Sequence, residues 1–301
     1  MLVITGPTAS GKTRFAIEVA EAVDGEIVSA DSMQVYRHLD IGTAKPTARE
    51  RGRVPHHLVD VADPDEAFHA ARFVSEADRA IADIAGRGRV PVVCGGTALY
   101  LKALLHGLAP APGRDPEVRA ELEARWDRGE REALRRELAR VDPGAARRLH
   151  PNDRTRIVRA LEVWRVTGRP ISELHRAHRF GPVRYRALMV GLLTDRPDLY
   201  RRIDERVVSM VEAGWVEEVR QVLSMGYGPH LPPLRAIGYR QICAHVLERR
   251  PLDQAVAEIQ QETRRFAKRQ MTWFRRMPIR WVPADATAEV VTLWQEFCEE
   301  P

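Results

Sequence analysis

At 301 residues, 44% of them hydrophobic, the chain can bury a sizeable core, which excludes a disordered or fibrous protein. The net charge of +5 comes from an excess that is largely arginine, which suits a polyanionic partner without proving one. Three cysteines, Cys94, Cys243 and Cys298, lie far apart with no C-x-x-C spacing, which argues against a disulfide framework or a zinc site and for a reducing cytoplasm.

The first predicted element is a strand ending in Val3, Ile4 and Thr5. Gly6-Pro7-Thr8-Ala9-Ser10-Gly11-Lys12-Thr13 follows and fits the phosphate-loop pattern G-x-x-x-x-G-K-[ST]. This loop stands where a signal peptide would begin. Phe15, Ala16, Val19, Ala20 and Val23 then share one helical face. A strand, a glycine-rich turn and a helix N-terminus present backbone N–H groups to a phosphate-rich anion. Lys12 adds a cation, and the Thr13 hydroxyl suits Mg²⁺. Read alone, the loop suggests ATP hydrolysis or phosphoryl transfer.

Glu26 to Ala30 is predicted as a second strand, ending in Asp31. Asp31 is either a turn former whose side chain bonds its own backbone, or a carboxylate beside the bound phosphate, acting as a base or a Mg²⁺ ligand. The adjacent His56 and His57 point to opposite sides of a strand, so one structural histidine is expected there rather than a metal site. Phe68 to Ala85 is predicted as a helix with Ala71, Val74, Ala77, Ile81 and Ile84 on its inner face. The apolar run Val90 to Cys94 reads as a strand buried on both faces. Gly95-Gly96-Thr97 opens the helix Ala98 to His106 and offers an anion site or an N-cap. Alternation of this kind predicts a parallel sheet with helices on both sides. Ligands in such sheets lie beyond the carboxyl ends of strands, so Thr8–Thr13, Asp31 and Gly95–Thr97 should converge.

Leu108 to Pro116 holds three prolines and a glycine and marks a boundary. The charged stretch beyond it is predicted as a helical insertion, residues 113–182, between core segments 1–112 and 183–301. Its clearest helix is Asp153 to Thr167, with Ile157, Leu161 and Trp164 as the apolar stripe and Gly168 as the stop. Arg184 to Leu193 reads as a strand returning to the sheet. Helices are predicted over Asp198–Glu212, Trp215–Leu223, Tyr239–Glu248 and Leu252 to about Arg276, then a strand at Ile279–Val282 and a helix at Glu289–Glu299. Thr263 to Arg276 carries six basic residues and no acidic one. Phe266 and Trp273, seven apart, are expected to pack inward while the basic side faces a phosphate backbone.

The ordered set Gly6–Thr13, Ala30–Arg37, Asp40–Pro46, Pro55–Asp60, Gly95–Tyr100, Asn152–Val163, Ala236–Tyr239 and Thr263–Arg275 closely resembles the tRNA dimethylallyltransferases (tRNA isopentenyltransferases). The resemblance covers nearly the whole chain. It implies an α/β fold with a P-loop NTPase-like core and an inserted helical domain. It also implies that the phosphate loop holds the diphosphate of dimethylallyl diphosphate rather than ATP. Asp31 matches the family's general base, Thr97 and Arg206 match positions near the reacting groups, and Mg²⁺ sits near Thr13. The target adenosine, 3′ of the anticodon, must be turned out of its stack to reach Asp31. The tRNA is gripped through Asp31, Ser32, Met33 and Gln34, through Thr155, Arg156, Ile157, Val158 and Arg159, and through Arg235, Ala236, Ile237, Gly238, Tyr239 and Arg240. A cytoplasmic monomer with no membrane contact is expected, since no apolar stretch approaches the ~20 residues of a span. The chain departs from the family's pattern in its short start, and it lacks the C-terminal Cys/His finger of eukaryotic relatives, which fits a bacterial type. The alternatives are an adenylate isopentenyltransferase acting on free nucleotide, a P-loop small-molecule kinase and a non-enzymatic RNA-binding module. The insertion and the basic helix speak against the first two, and Lys12 and Asp31 at strand ends against the third.

Overall fold

Six short strands place everything that matters for the site. They are β1 (Leu2–Thr5), β2 (Gly25–Ser29), β3 (His56–His57), β4 (Val90–Gly95), β5 (Leu188–Leu192) and β6 (Arg280–Val282). In the computed structural model, which describes residues 1–178 and 183–300, they form one sheet in the order β3-β2-β4-β1-β5-β6. Every pairing is parallel, with Leu2 opposite both Val92 and Leu188. The P-loop NTPase-like reading of the core holds.

Period-two alternation sorts the strand side chains onto two faces. Leu2, Ile4, Ile27, Val92 and Val190 pack with Phe15, Ala16 and Val19 of α1 (Lys12–Ala22). Val3, Val28, Val93 and Met189 pack on the other face. After α2 (Ala48–Arg53), α3 (Ala70–Gly86) and α4 (Ala98–His106) supply Phe73, Ile81, Leu101 and Leu104 to that second face. Each such side chain, removed from water, stabilises the fold by about 1.5–3 kcal/mol before entropy is counted. The inner face of α3 differs from expectation: Ala71 is exposed and Phe73 buried. The helix starts only after His69, whose ring caps the Arg72 N–H, and its stripe runs through Phe73, Ala77, Ile81 and Ile84. Ala71 falls outside that phase.

The chain separates into two compact units, Met1–Leu105 with Tyr185–Pro301, and His106–Arg184. The expected end of the insertion, Pro182, lies outside the described residues. The second unit is built from α5 (Pro116–Asp127), α6 (Arg131–Val141), α7 (Pro143–Arg148), α8 (Arg154–Thr167) and α9 (Ile171–His178) around Leu122, Trp126, Leu134, Leu138, Ile157 and Leu161. Asp153 caps α8 by accepting the Arg156 N–H, and Gly168 ends it with φ +67°, a left-handed conformation that favours glycine. The first unit continues through α10 (Arg196–Glu212), α11 (Trp215–Ser224), α12 (Tyr239–Glu248), α13 (Leu252–Phe274) and α14 (Thr287–Glu299). On α13 the expected inward packing of Phe266 and Trp273 is overturned: they are 38% and 41% exposed. Ala255, Ile259, Ala267, Gln270 and Phe274 take the inner face instead, which leaves both aromatic rings at its edge.

Candidate active site

Three neighbouring strand ends are stitched together at one edge of the sheet. The Thr5 hydroxyl at the end of β1 donates to the Gly95 carbonyl at 2.8 Å. The Ala30 N–H after β2 donates to Cys94 O at 2.8 Å, and the Thr97 N–H returns to Ala30 O at 3.3 Å. The segments at Thr8–Thr13, Asp31 and Gly95–Thr97 therefore converge as expected, and all three line a cavity of about 610 Å³. Ligands of parallel sheets bind beyond strand ends of this kind.

The phosphate loop is held tightly. Ala9 has φ +63° and Gly11 φ +86°, and a left-handed alanine costs about 1 kcal/mol. Such strain persists only where the surroundings enforce it. Two loop amides are already engaged: the Ser10 N–H donates to Pro7 O at 3.3 Å and the Thr8 N–H to Gln270 Oε1 at 2.9 Å. The N–H groups of the first turn of α1, at Lys12, Thr13 and Arg14, have no intrahelical acceptor. Ser10 is fully buried and its hydroxyl has no hydrogen-bond partner among the described residues. Gly6 and Pro7 are buried too, so they contribute backbone shape.

Asp31 combines both roles weighed from sequence. Its Oδ1 accepts the N–H groups of Met33 at 2.8 Å and Gln34 at 3.3 Å, which makes the self-bonded turn. Its Oδ2 has no hydrogen-bond donor among the described residues and remains a free acceptor. The Thr97 hydroxyl accepts the Ser32 N–H at 3.1 Å, so it fixes the Asp31 turn rather than capping α4. Burial pulls the Lys12 ammonium below its ordinary value, and nearby Arg206 pushes the same way while Cys94 and Asp31 oppose them. Burial lowers the Arg206 guanidinium too, against Asp31. Lys12 makes one hydrogen bond, to Pro7 O at 3.3 Å, and Arg206 makes none among the described residues. Burial also pushes the Cys94 thiol, in the cavity wall, up to about 11, so it stays protonated and inert near neutrality. Two under-neutralised cations with one carboxylate make a site that favours an anion.

The opposite wall is apolar. Ile203, Val207 and Met210 of α10 form it with Trp215, Ile259 and Phe266. Trp215 is wedged against two glycines: a Cβ on Gly42 or Gly238 would come within 2.1 and 2.2 Å of its ring. Glu218, one turn along α11, accepts the N–H groups of Asp40, Ile41 and Gly42 and the Tyr239 hydroxyl. The loop from Asp40 is thus fastened to α11 and α12.

The residues expected to grip RNA divide by exposure. Ser32 and Met33 line the cavity, as does Gln34, whose amide donates to Thr43 O and Ala44 O. Thr155 and Arg156 are exposed on the second unit, but Ile157 and Val158 are buried in its core and present no side chain to a partner. Arg159 is committed internally, to Glu162, Pro112 O and Gly113 O. Arg235 is exposed and Ala236 and Ile237 line the cavity. Gly238 and Tyr239 are buried as supports, and Arg240 pairs with Glu262. Sequence reasoning missed Glu218, Trp215 and Gln270. Gln270 alone left a signal, as a polar residue in phase with the apolar stripe of α13.

Residues 34–277 match the family model described as IPP transferase, and residues 1–55 match one described as isopentenyl transferase. A tRNA dimethylallyltransferase of Geobacter sulfurreducens is 52% identical over 293 residues, covering 97% of this chain and 94% of its own. The full-length tRNA isopentenylpyrophosphate transferase of Bacillus halodurans aligns with a TM-score of 0.74 at 37% identity, covering 99% of this chain and 96% of that one. A eukaryotic dimethylallyltransferase, captured in crystallographic snapshots acting on tRNA, aligns with a TM-score of 0.85 at 27% identity, over 99% of this chain and 79% of that one.

Proposed function

The chain belongs to the IPP transferase family, and from that premise we propose that it moves the dimethylallyl group of dimethylallyl diphosphate onto N6 of the adenosine 3′-adjacent to the anticodon of tRNA. Diphosphate is released. The observation that carries this reading is the pair Lys12 and Arg206, poorly neutralised, sharing a cavity with the Asp31 carboxylate and a phosphate loop.

An exocyclic adenine amine is a weak nucleophile because its lone pair is delocalised into the ring. As N6 bonds to C1 of the prenyl group, the C1–O bond to diphosphate breaks and the N6 proton goes to Asp31 Oδ2. The turn bonds to Oδ1 hold the carboxylate still while it does so. Charge developing on the departing diphosphate meets the first-turn N–H groups of α1, Lys12 and Arg206. The apolar wall on α10 and α13 suits the prenyl chain and excludes water from the reacting carbon. Among the described residues the Thr13 hydroxyl has no protein partner and no cluster of three His, Cys, Asp or Glu side chains forms. That sparse donor set fits Mg²⁺ held chiefly by diphosphate oxygens and water, with Thr13 as one protein ligand. The ion would supply further neutralisation of the leaving group.

On the RNA side, the exposed Arg265, Lys268, Arg269, Arg275 and Arg276 of the first unit support docking of the anticodon stem-loop. Three free cysteines suit the cytoplasm, and among the described residues no helix is long and apolar enough to cross a membrane. We take the working form to be a monomer. The decisive experiment incubates the protein with Mg²⁺, tRNA and labelled dimethylallyl diphosphate, then identifies the nucleosides by mass spectrometry. N6-dimethylallyl adenosine is expected. Transfer of the γ-phosphate of ATP without prenylated tRNA would overturn the reading.

A further inference from the structure

Gln270 is 6% exposed, near the C-terminal end of α13, on the buried face it shares with Ala267 and Phe274. A buried primary amide is costly unless its groups are paired. Gln270 pairs both ends. Its Oε1 accepts the Thr8 N–H at 2.9 Å, and its Nε2 donates to Gly96 O at 2.8 Å. The first contact lies in the phosphate loop, the second in the turn that carries Thr97. Gly96 accommodates this approach because it lacks a side chain: a Cβ there would lie 2.6 Å from Gln270 Nε2. The Thr97 hydroxyl in turn accepts the Ser32 N–H, next to Asp31. One amide thus fixes the loop that holds the leaving group at a set distance from the turn that holds the base. That distance decides how closely N6 can approach C1.

We infer that Gln270 is a positioning residue for the transfer. It sets the spacing between the donor loop and the Asp31–Thr97 turn, and it ties both to the helix whose exposed face is basic. Three side-chain chemistries separate this role from mere packing. Gln270→Met keeps length and apolar bulk but removes both hydrogen bonds. Gln270→Glu, when ionised, keeps the acceptor for Thr8 and opposes the Gly96 carbonyl. When protonated it regains a donor and restores the full pattern.

The inference rests on the proposed prenyl transfer, so the test has an arm that does not. Titration with inorganic pyrophosphate and Mg²⁺ by calorimetry should show roughly tenfold weaker binding to Gln270→Met than to the wild type, since the loop loses its anchor. In the transfer assay, kcat should fall on the order of 10²-fold, as a misplacement of about 1 Å would produce. The affinity for tRNA, read by filter binding, should stay within about threefold. Gln270→Glu should recover kcat, as a ratio to wild type, as the pH falls and its carboxyl protonates. Circular dichroism and the thermal midpoint establish the folded fraction of each variant. If Gln270→Met does not fold, the pH dependence of Gln270→Glu carries the test. Unchanged pyrophosphate affinity and kcat per folded molecule in Gln270→Met, or a flat ratio for Gln270→Glu, would overturn the inference. A wild type that binds pyrophosphate without prenylating tRNA would instead sink the functional reading and leave the titration to decide Gln270.

Discussion

Two motif-rich regions of the first unit look alike as sequence and behave differently as structure. Asp40–Pro46 and Pro55–Asp60 are dense in Asp, Lys and His, yet apart from the buried His56 Nε2, which has no partner among the described residues, their charged groups are met internally. Lys45, with a side chain 4% exposed, bonds Asp40, Asp60 and the Tyr36 carbonyl, and His57 meets Glu26 at 2.7 Å. Gly6–Thr13 with Asp31 and Arg206 is the reverse. Its two cations share the single Asp31 carboxylate, and among the described residues the buried Ser10 hydroxyl has no partner and one Asp31 oxygen has no donor. Polar residues that have spent their bonding capacity build a scaffold. Those at the strand ends that have not are open to a ligand.

That contrast can be broken most decisively at Asp31. Asp31→Asn keeps the Oδ1 acceptor for Met33 and Gln34 but cannot take a proton, so kcat should fall about 10³-fold with tRNA affinity preserved. Single-turnover transfer alongside filter binding checks this, and unchanged turnover would remove Asp31 from the base role. A smaller and two-sided effect is expected at Lys12. Its ammonium sits below the ordinary 10.5 because of burial, so the unfolded chain holds that proton more tightly than the folded one. The ligand-free protein is therefore destabilised by the charge at neutral pH, and this penalty disappears as pH rises through the unfolded value. Lys12→Met should raise the thermal midpoint while weakening pyrophosphate binding by about tenfold or more. Wild-type pyrophosphate affinity should also decline at a lower alkaline pH than an ordinary lysine would set. A lower midpoint for Lys12→Met would contradict the sign. The mildest catalytic effect belongs to Lys45→Met, which should cost about 2 kcal/mol in denaturant unfolding but change kcat per folded molecule only slightly. A large loss of kcat at unaltered stability would move Lys45 from scaffold to chemistry.

Periodicity exposed most of the frame. α4 and α12 have the predicted ends, and the apolar runs became β1, β2, β4 and β5. Other elements were foreseen only loosely or not at all. β3 is two residues long and exists because His56 and His57 pair with Ile27 and Val28, a tertiary event. α2 is six residues long and was not foreseen, and α5, α6 and α7 lie in the stretch read as helical without bounds of their own because they are short or heavily charged. In the site, the loop, Asp31 and Thr97 were legible because strand ends converge by rule. Glu218 was not, because an acid in the first turn of a helix reads as surface until its three backbone donors are seen. Phe266 and Trp273 show the same limit from the other side. Aromatic residues seven apart share a face, but which face turns inward was decided by Ala267 and Gln270.

The sheet order also governs when the site can exist during synthesis. β1 emerges first yet lies inside the sheet, and its partner strands reach it from Val92 and from Leu188. The Thr8 amide finds its acceptor only at Gln270, 262 residues along the chain. Contacts this distant in sequence form late, after their loop-closure entropy has been met. A chain leaving the ribosome therefore displays a readable phosphate loop long before it owns a donor site. Truncation anywhere before α13 should leave the motif intact and the anchored loop unmade.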